Sequence, residues 1–254
     1  MTESERPTAL VTGSAAGIGR AAALRLARGG YDVTVNYSRS AERAEQVVAE
    51  LTALGGSHAA VRADVADDAA VRELVARATE RTGTLDVLVN NAGTTSETPP
   101  RDLDALDFAD WDRVMATNVR GLVQVVRAAA PALRAAHGSV VNVASIVGLR
   151  PGPQPLVYAA SKAAVVNLTK TLSAVLAPEV RMNAVAPGWI AGEWMERTLG
   201  DNYDRLMQRR AQHTPLQRNV TLEDVAESIY ALAVGHPFVT GEVIVIDGGY
   251  TATT

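Results

Sequence analysis

The sequence predicts an α/β protein built as a doubly wound parallel sheet with helices on both faces. Three observations carry that expectation. Short apolar runs alternate with longer amphipathic stretches along the chain. A glycine-rich turn joins the first apolar run directly to a helix-forming stretch. Aromatic residues make up only 4% of the 254 residues, so the core must rest on Val, Leu, Ile and Ala, which suits buried parallel strands flanked by Ala-rich helices.

In chain order, strands are expected over Thr8–Thr12, Asp32–Tyr37, His58–Ala63, Leu85–Asn90, Ser139–Ala144, Val180–Ala186 and Glu242–Ile246. Helical periodicity runs through Gly17–Gly29, Ala41–Leu54, Asp68–Arg81, Phe108–Ala136, Pro155–Ala177 and Leu222–Ala233. No repeat, low-complexity tract or linker divides the chain, so residues 1–254 read as a single domain. Two segments break the alternation. Gly93–Leu106 is polar and carries Pro99–Pro100. Residues 188–218 form a long insert containing Trp189, Trp194, Met195 and Met207. Such an insert reads either as a lid over a site or as a surface helix pair packed on the body, and the two readings are compatible.

Composition excludes several classes. The net charge is -4 and no basic stripe is present, so a nucleic-acid partner is not expected. With no cysteine, disulfides and thiolate metal sites are ruled out, and a reducing compartment fits. Met1–Pro7 is charged and polar, unlike a signal peptide, and no apolar window is long enough for a membrane span. A cytoplasmic protein without a membrane partner is the expectation. His58, His137, His213 and His236 lack ligand-like spacing, and no metal is expected. The aspartates at 102, 104, 107, 110 and 112 read as a solvated loop and a favourable helix start rather than a cation site.

The first strand runs into Gly13-Ser14-Ala15-Ala16-Gly17-Ile18-Gly19. Glycines permit a sharp turn and close backbone approach to a pyrophosphate, and the helix that follows supplies oriented N–H donors. The spacing differs from the commoner Gly-x-Gly-x-x-Gly fingerprint. Cofactor choice should be set where the second strand ends. An acidic residue there would accept the ribose hydroxyls of NAD, whereas this chain has Asn36-Tyr37-Ser38-Arg39. Ser38 can donate to a 2′-phosphate and Arg39 can pair with it, so NADP(H) is expected as the preferred cofactor and NAD(H) as the alternative. The competing reading of Arg39 is a solvated residue at a helix start.

Tyr158 and Lys162 stand at i and i+4, on one face of a helix. A free tyrosine is a poor base at neutral pH, and a neighbouring ammonium favours its phenolate. The lysine can also hold ribose hydroxyls, so the pair can move a proton and fix a dinucleotide. Ser145 closes the fifth strand, where ligands bind in open α/β sheets, and its hydroxyl can hold a reacting oxygen. A helix or turn cap is its alternative role. The proline-rich turn Pro151–Pro155 would fix the start of the tyrosine helix.

In order, the chain carries the turn Gly13–Gly19, Asp64-Val65, Asn90-Asn91-Ala92-Gly93, Asn118, Ser145, Tyr158-x-x-x-Lys162, Pro187-Gly188 and Asp247-Gly248-Gly249. By this ordered set it resembles the short-chain dehydrogenase/reductase family nearly end to end. The wider sequence is similar to 3-oxoacyl-(acyl-carrier-protein) reductases. The resemblance implies a single-domain Rossmann-like fold and hydride transfer between a nicotinamide cofactor and a carbonyl or alcohol. It implies that Asn118, Ser145, Tyr158 and Lys162 are catalytic, with Asn118 positioning a water that links Lys162 to solvent. Gly13, Ser14, Ala16, Gly17, Ile18, Gly19, Ser38 and Arg39 would then bind the cofactor. So would Asp64 and Val65 at the adenine, Asn91, Ala92 and Gly93, and Pro187, Gly188 and Ile190 at the nicotinamide side.

Three departures qualify the picture. Gly192 stands where relatives often carry a threonine that contacts the nicotinamide carboxamide. Ala16 stands where NADP users often carry an arginine, leaving Ser38 and Arg39 to set that preference. Ala135-Ala136-His137 and Ala177-Pro178-Glu179-Val180 lack the basic residues with which some relatives dock an acyl carrier. A small-molecule carbonyl or alcohol under an apolar lid is therefore expected. The alternatives are an NAD-linked sugar or steroid alcohol dehydrogenase and a catalytically idle nucleotide-binding protein. The long helices and the C-terminal Tyr250–Thr254 resemble the family's interfaces, and a homotetramer is expected.

Overall fold

The computed structural model describes residues 6–96, 98 and 102–253, with Arg197 described by its backbone alone. The first five residues, Pro99–Pro100 and Thr254 lie outside the described residues. Seven strands form one parallel sheet: β1 (Thr8–Val11), β2 (Asp32–Tyr37), β3 (Ala59–Arg62), β4 (Val87–Asn90), β5 (Ser139–Val143), β6 (Arg181–Pro187) and β7 (Val243–Ile246). Their order is β3-β2-β1-β4-β5-β6-β7. The chain winds outward from β1 to β3, then returns to β4 on the other side. The crevice above β1 and β4 is thus the topological switch point where open α/β sheets bind ligands.

Alternation along the central strands divides the core between the two faces. Leu10, Leu88 and Val140 point to one face and pack with Val71, Leu74, Val125 and Leu133. Ala9, Val11, Val87, Val89 and Val141 point to the other and pack with Leu26, Val47, Leu51 and Ile229. The helices on the first face are α3 (Asp68–Thr79), α5 (Leu122–Ala136) and α6 (Leu156–Leu176). On the second lie α1 (Gly17–Arg28), α2 (Ala41–Thr52) and α9 (Leu222–Val234). Strands β1, β4 and β5 are buried throughout, which explains their mostly apolar character. A short helix, α10 (Tyr250–Thr253), ends the described chain.

One stretch departs from the sequence expectation, and the insert shows the expected helix pair. The long helix expected over Phe108–Ala136 is α4 (Phe108–Met115), a π-helical turn (Ala116–Gly121) and α5. Periodicity alone cannot register such a turn, because its flanks keep helical character. Asp107 caps α4 through Ala109 N at 2.9 Å, as the helix-start reading of the aspartates requires. The insert at 188–218 holds α7 (Glu193–Leu199), a 3-10 turn (Gly200–Asn202) and α8 (Tyr203–His213). Trp189, Met195 and Met207 are buried together there, with Leu199, Tyr203 and Tyr250 packed around them. No helix among the described residues is long and apolar enough to cross a membrane.

Candidate active site

The turn after β1 uses its glycines in different ways. Gly13 and Gly17 have φ of 61° and 56°, left-handed conformations that favour glycine. Gly19 serves close packing: a Cβ there would lie 2.5 Å from Asn91 Nδ2 and 2.6 Å from the Gly13 carbonyl. No atom stands within 4 Å of a Cβ built on Gly17, so that part of the turn is open to a ligand. The helix α1 begins at Gly17 without a side-chain cap, leaving its first N–H groups for a pyrophosphate. The turn therefore fits a dinucleotide.

Neighbouring polar side chains brace the turn. Ser14 is fully buried, its hydroxyl donating to Val11 O at 2.7 Å and accepting from Asn36 N at 3.1 Å. The structure thus gives the Ser14 side chain a bracing position rather than a place at the groove. Asn36 Oδ1 accepts from Gly13 N at 3.1 Å while its Nδ2 donates to Ala63 O at 3.0 Å. Asn91 Nδ2 donates to both Thr12 O and Gly13 O at 2.9 Å. Thr12 Oγ1 accepts from Asn91 N and Ala92 N, each at 3.0 Å. Asn36 and Thr12 are not among the residues that the sequence marks for the site. Their sequence signal is a polar residue at the end of an apolar run, and Thr12 also heads the glycine-rich motif.

Ser38 and Arg39 are exposed where β2 ends, and Arg62 Nε donates to Ser38 O at 3.2 Å. Asp64 is exposed after β3, its carboxylate accepting from Ala66 N at 2.9 Å. Val65 is buried, and its carbonyl accepts from Gln124 Nε2 at 2.8 Å.

Farther along the crevice, Ser145, Tyr158 and Lys162 come together in one cavity of about 540 Å³, shared with Gly13, Gly17 and Gly188. Ala16, Ile18, Asn91, Ala92, Gly93, Pro187 and Ile190 also line it, whereas Ser14, Gly19, Ser38, Arg39, Asp64, Val65 and Asn118 do not. Ser145 caps a 3-10 turn, accepting from Val147 N at 3.4 Å, and its side chain also hydrogen-bonds Tyr158. The capping role is therefore present, and the hydroxyl stands beside Tyr158. Lys162 is buried, and its Nζ donates to Val143 O at 2.8 Å and lies 5.7 Å from the Tyr158 ring centre. Burial pushes the Tyr158 phenol up to about 12 against the opposing hydrogen bond with Ser145. Burial pushes the Lys162 ammonium down to about 8.

Asn118 sits in the π-helical turn, behind the cavity wall. Its Oδ1 accepts from Thr94 N at 2.8 Å, and its Nδ2 donates to Ser161 Oγ at 2.9 Å. Ser161, between Tyr158 and Lys162, is a further residue absent from the sequence-derived site. A Cβ on Gly93 would lie 3.4 Å from Asn118 Oδ1 and 3.7 Å from Lys162 Nζ, so glycine keeps this corner open. A second cavity, of about 10 Å³, is bounded by Thr12, Asn90, Asn118 and Lys162 and has the size of one water.

The insert closes the other side. Trp194 faces Tyr158 with ring centres 6.3 Å apart, and Trp189 and Met195 also line the cavity. Met207 does not, because it belongs to the insert's own core. Arg210 lies 3.3 Å above the Trp189 ring, a cation–π contact that fixes the base of the insert.

Residues 13–251 match the family model described as enoyl-(acyl carrier protein) reductase. The chain belongs to the short-chain dehydrogenase/reductase family, whose members are NAD(P)-dependent oxidoreductases of carbonyl and alcohol groups. It is 44% identical over 246 residues to the Streptomyces violaceoruber protein called ketoacyl reductase 2 of the granaticin polyketide synthase, covering 96% of each chain. It is 38% identical over 245 residues to the 3-oxoacyl-[acyl-carrier-protein] reductase of Staphylococcus epidermidis, covering 95% of this chain and 98% of that one. Among solved structures, it resembles a short-chain dehydrogenase of Burkholderia cenocepacia in complex with NADP. That match has 37% identity, a TM-score of 0.86 and coverage of 96% of this chain and 98% of the other.

Proposed function

We propose that this protein is an NADP(H)-dependent carbonyl reductase in which Tyr158 transfers the proton. The observation that carries this reading is the meeting of Ser145, Tyr158 and Lys162 beside the Gly13–Gly17 turn in one cavity. A nicotinamide cofactor held there would supply or accept the hydride. Ser145 holds the substrate oxygen beside the Tyr158 hydroxyl. That hydroxyl, kept protonated by burial, gives its proton to the oxygen during reduction and takes it back during oxidation. Lys162 supports the developing phenolate and holds the nicotinamide ribose. Asn118 shapes the corner through which a water restores the proton by way of Lys162.

The absence of an acidic residue after β2, together with exposed Ser38 and Arg39, supports the NADP(H) preference. The Burkholderia relative's NADP complex supports it as well. The insert, with Trp194 beside Tyr158, acts as a lid over the substrate. Similarity to ketoacyl and 3-oxoacyl reductases supports a ketone substrate, free or carried as an acyl chain. The assembly is a homotetramer.

The test is a ketone panel with NADPH and NADH, run on the wild type and Tyr158→Phe. Turnover abolished by Tyr158→Phe with cofactor binding retained supports the reading. Full activity of that variant, or no turnover by the wild type on any ketone, acyl-carrier substrates included, would overturn it.

A further inference from the structure

We infer that Arg62, at the end of β3, completes the binding site for the adenosine 2′-phosphate and sets the cofactor preference together with Arg39. The inference rests on the NADP(H) reading above and names a residue that this reading did not include. Register pairing sets Arg62 beside Tyr37, so the side chain starts one strand away from the Ser38-Arg39 loop. Its Nε donates to Ser38 O at 3.2 Å, which anchors the guanidinium at the strand end where an NAD-binding chain would carry an acidic residue. Arg62 is exposed, and among the described residues no carboxylate pairs with it. The same holds for Arg39, whereas the nearby Arg43 is neutralised by Glu193 at 3.0 Å.

Charge balance shows why a second guanidinium matters. Glu42 and Asp64 are exposed near the same loop. Arg39 alone would leave this neighbourhood net negative, a poor place for a dianionic phosphate. Arg62 brings it to neutrality and adds directed N–H donors, since Nε alone is engaged and the two terminal nitrogens have no hydrogen-bond partner among the described residues. A guanidinium held by a backbone carbonyl is oriented before the ligand arrives, so little side-chain freedom is lost on binding. The site then reads a phosphate through two arginine forks and the Ser38 hydroxyl.

The experiment measures dissociation constants for NADPH, NADH, 2′,5′-ADP and 5′-AMP with wild type, Arg62→Gln and Arg39→Gln. Arg62→Gln should weaken NADPH and 2′,5′-ADP about tenfold, as loss of one charge-assisted contact to phosphate implies, while NADH and 5′-AMP change less than about twofold. The unchanged NADH value also reports that the variant is folded. Arg62→Lys should recover part of the loss. A wild type that prefers NADPH while Arg62→Gln keeps the same NADPH-to-NADH ratio overturns the role of Arg62 and leaves the cofactor reading standing. A wild type that binds NADH as tightly as NADPH overturns both.

Discussion

Arg43 and Glu193 form a bidentate ion pair, with Nη1–Oε2 and Nη2–Oε1 distances of 3.0 and 3.2 Å, joining α2 to the first residue of α7. Both residues line the cavity that holds Tyr158, so the pair ties the insert to the cofactor-binding half. The side chains are 54% and 65% exposed, which keeps the bond weak and readily opened. Glu193→Gln should speed NADPH release by roughly twofold to fivefold and reduce its dependence on salt. The double exchange Arg43→Glu with Glu193→Arg should restore the wild-type rate. Stopped-flow fluorescence of bound NADPH reads both. Unchanged release in Glu193→Gln would show that the insert closes without this bond.

Lys162 gives the fold a pH signature. Its folded value near 8 lies below the ordinary 10.5, so between these pH values the unfolded chain binds more protons. Stability should therefore rise as pH climbs from about 8 towards 10. Tyr158 has the opposite effect higher up. Its value near 12 exceeds the ordinary 10.0, and stability should fall between those two values. Urea titrations at a series of pH values should show the rise in wild type and its loss in Lys162→Met. A Lys162→Met profile parallel to the wild type would contradict the assignment.

Gly17 and Gly19, the last two glycines of the turn after β1, should respond differently to alanine. Gly17→Ala meets no atom but places a side chain at φ 56°, a cost of about 1 kcal/mol. Gly19→Ala drives a methyl to 2.6 Å from the Gly13 carbonyl and displaces Asn91, a cost of about 1–3 kcal/mol. Thermal unfolding gives the order, and NADPH binding should fall further in Gly19→Ala because the whole turn shifts.

Ser161→Ala should remove the hydroxyl that accepts from Asn118 Nδ2 at 2.9 Å. That amide keeps Thr94 O as a partner at 2.9 Å, so the expected loss is about 1 kcal/mol of stability. The turnover number should drop while KM for NADPH holds, because the Asn118 corner loosens without altering the groove. Ser161→Thr should recover part of the turnover.

The proposed tetramer has a candidate edge in β7, where Ile244 and Val245 are 42% and 41% exposed on the last strand of the sheet. Val245→Asp should yield a smaller species by light scattering with NADPH binding intact. A wild type that is monomeric at micromolar concentration would end the proposal.

The strands were legible because β1, β4 and β5 are buried on both faces and are mostly apolar, with Asn142 the one polar residue inside a strand and Thr8, Asn90 and Ser139 at strand ends. Gly13, Gly17 and Tyr158 were legible because their chemistry tolerates few substitutes at those spacings. Less visible were residues that act by supporting others. Asn36 bridges the turn after β1 to the end of β3, and Ser161 supports Asn118. Both are contacts between segments far apart in sequence, with no local pattern to mark them. The π-helical turn was hidden for a related reason, since one altered turn scarcely disturbs an apolar stripe. Arg62 carries no local mark either, because only the register with β2 brings it to Ser38.

The insert carries its own miniature core, with Trp189, Met195 and Met207 buried against Leu199, Tyr203 and Tyr250. Its cohesion therefore depends little on the side chains of the two large clusters that hold the sheet. Substitutions on the cavity-facing side, at Trp194 for instance, can reshape what is admitted without disturbing the turn that grips the dinucleotide. If the insert is the proposed lid, Trp194 is a place where the range of substrates could be altered while the Gly13–Gly17 turn is left intact.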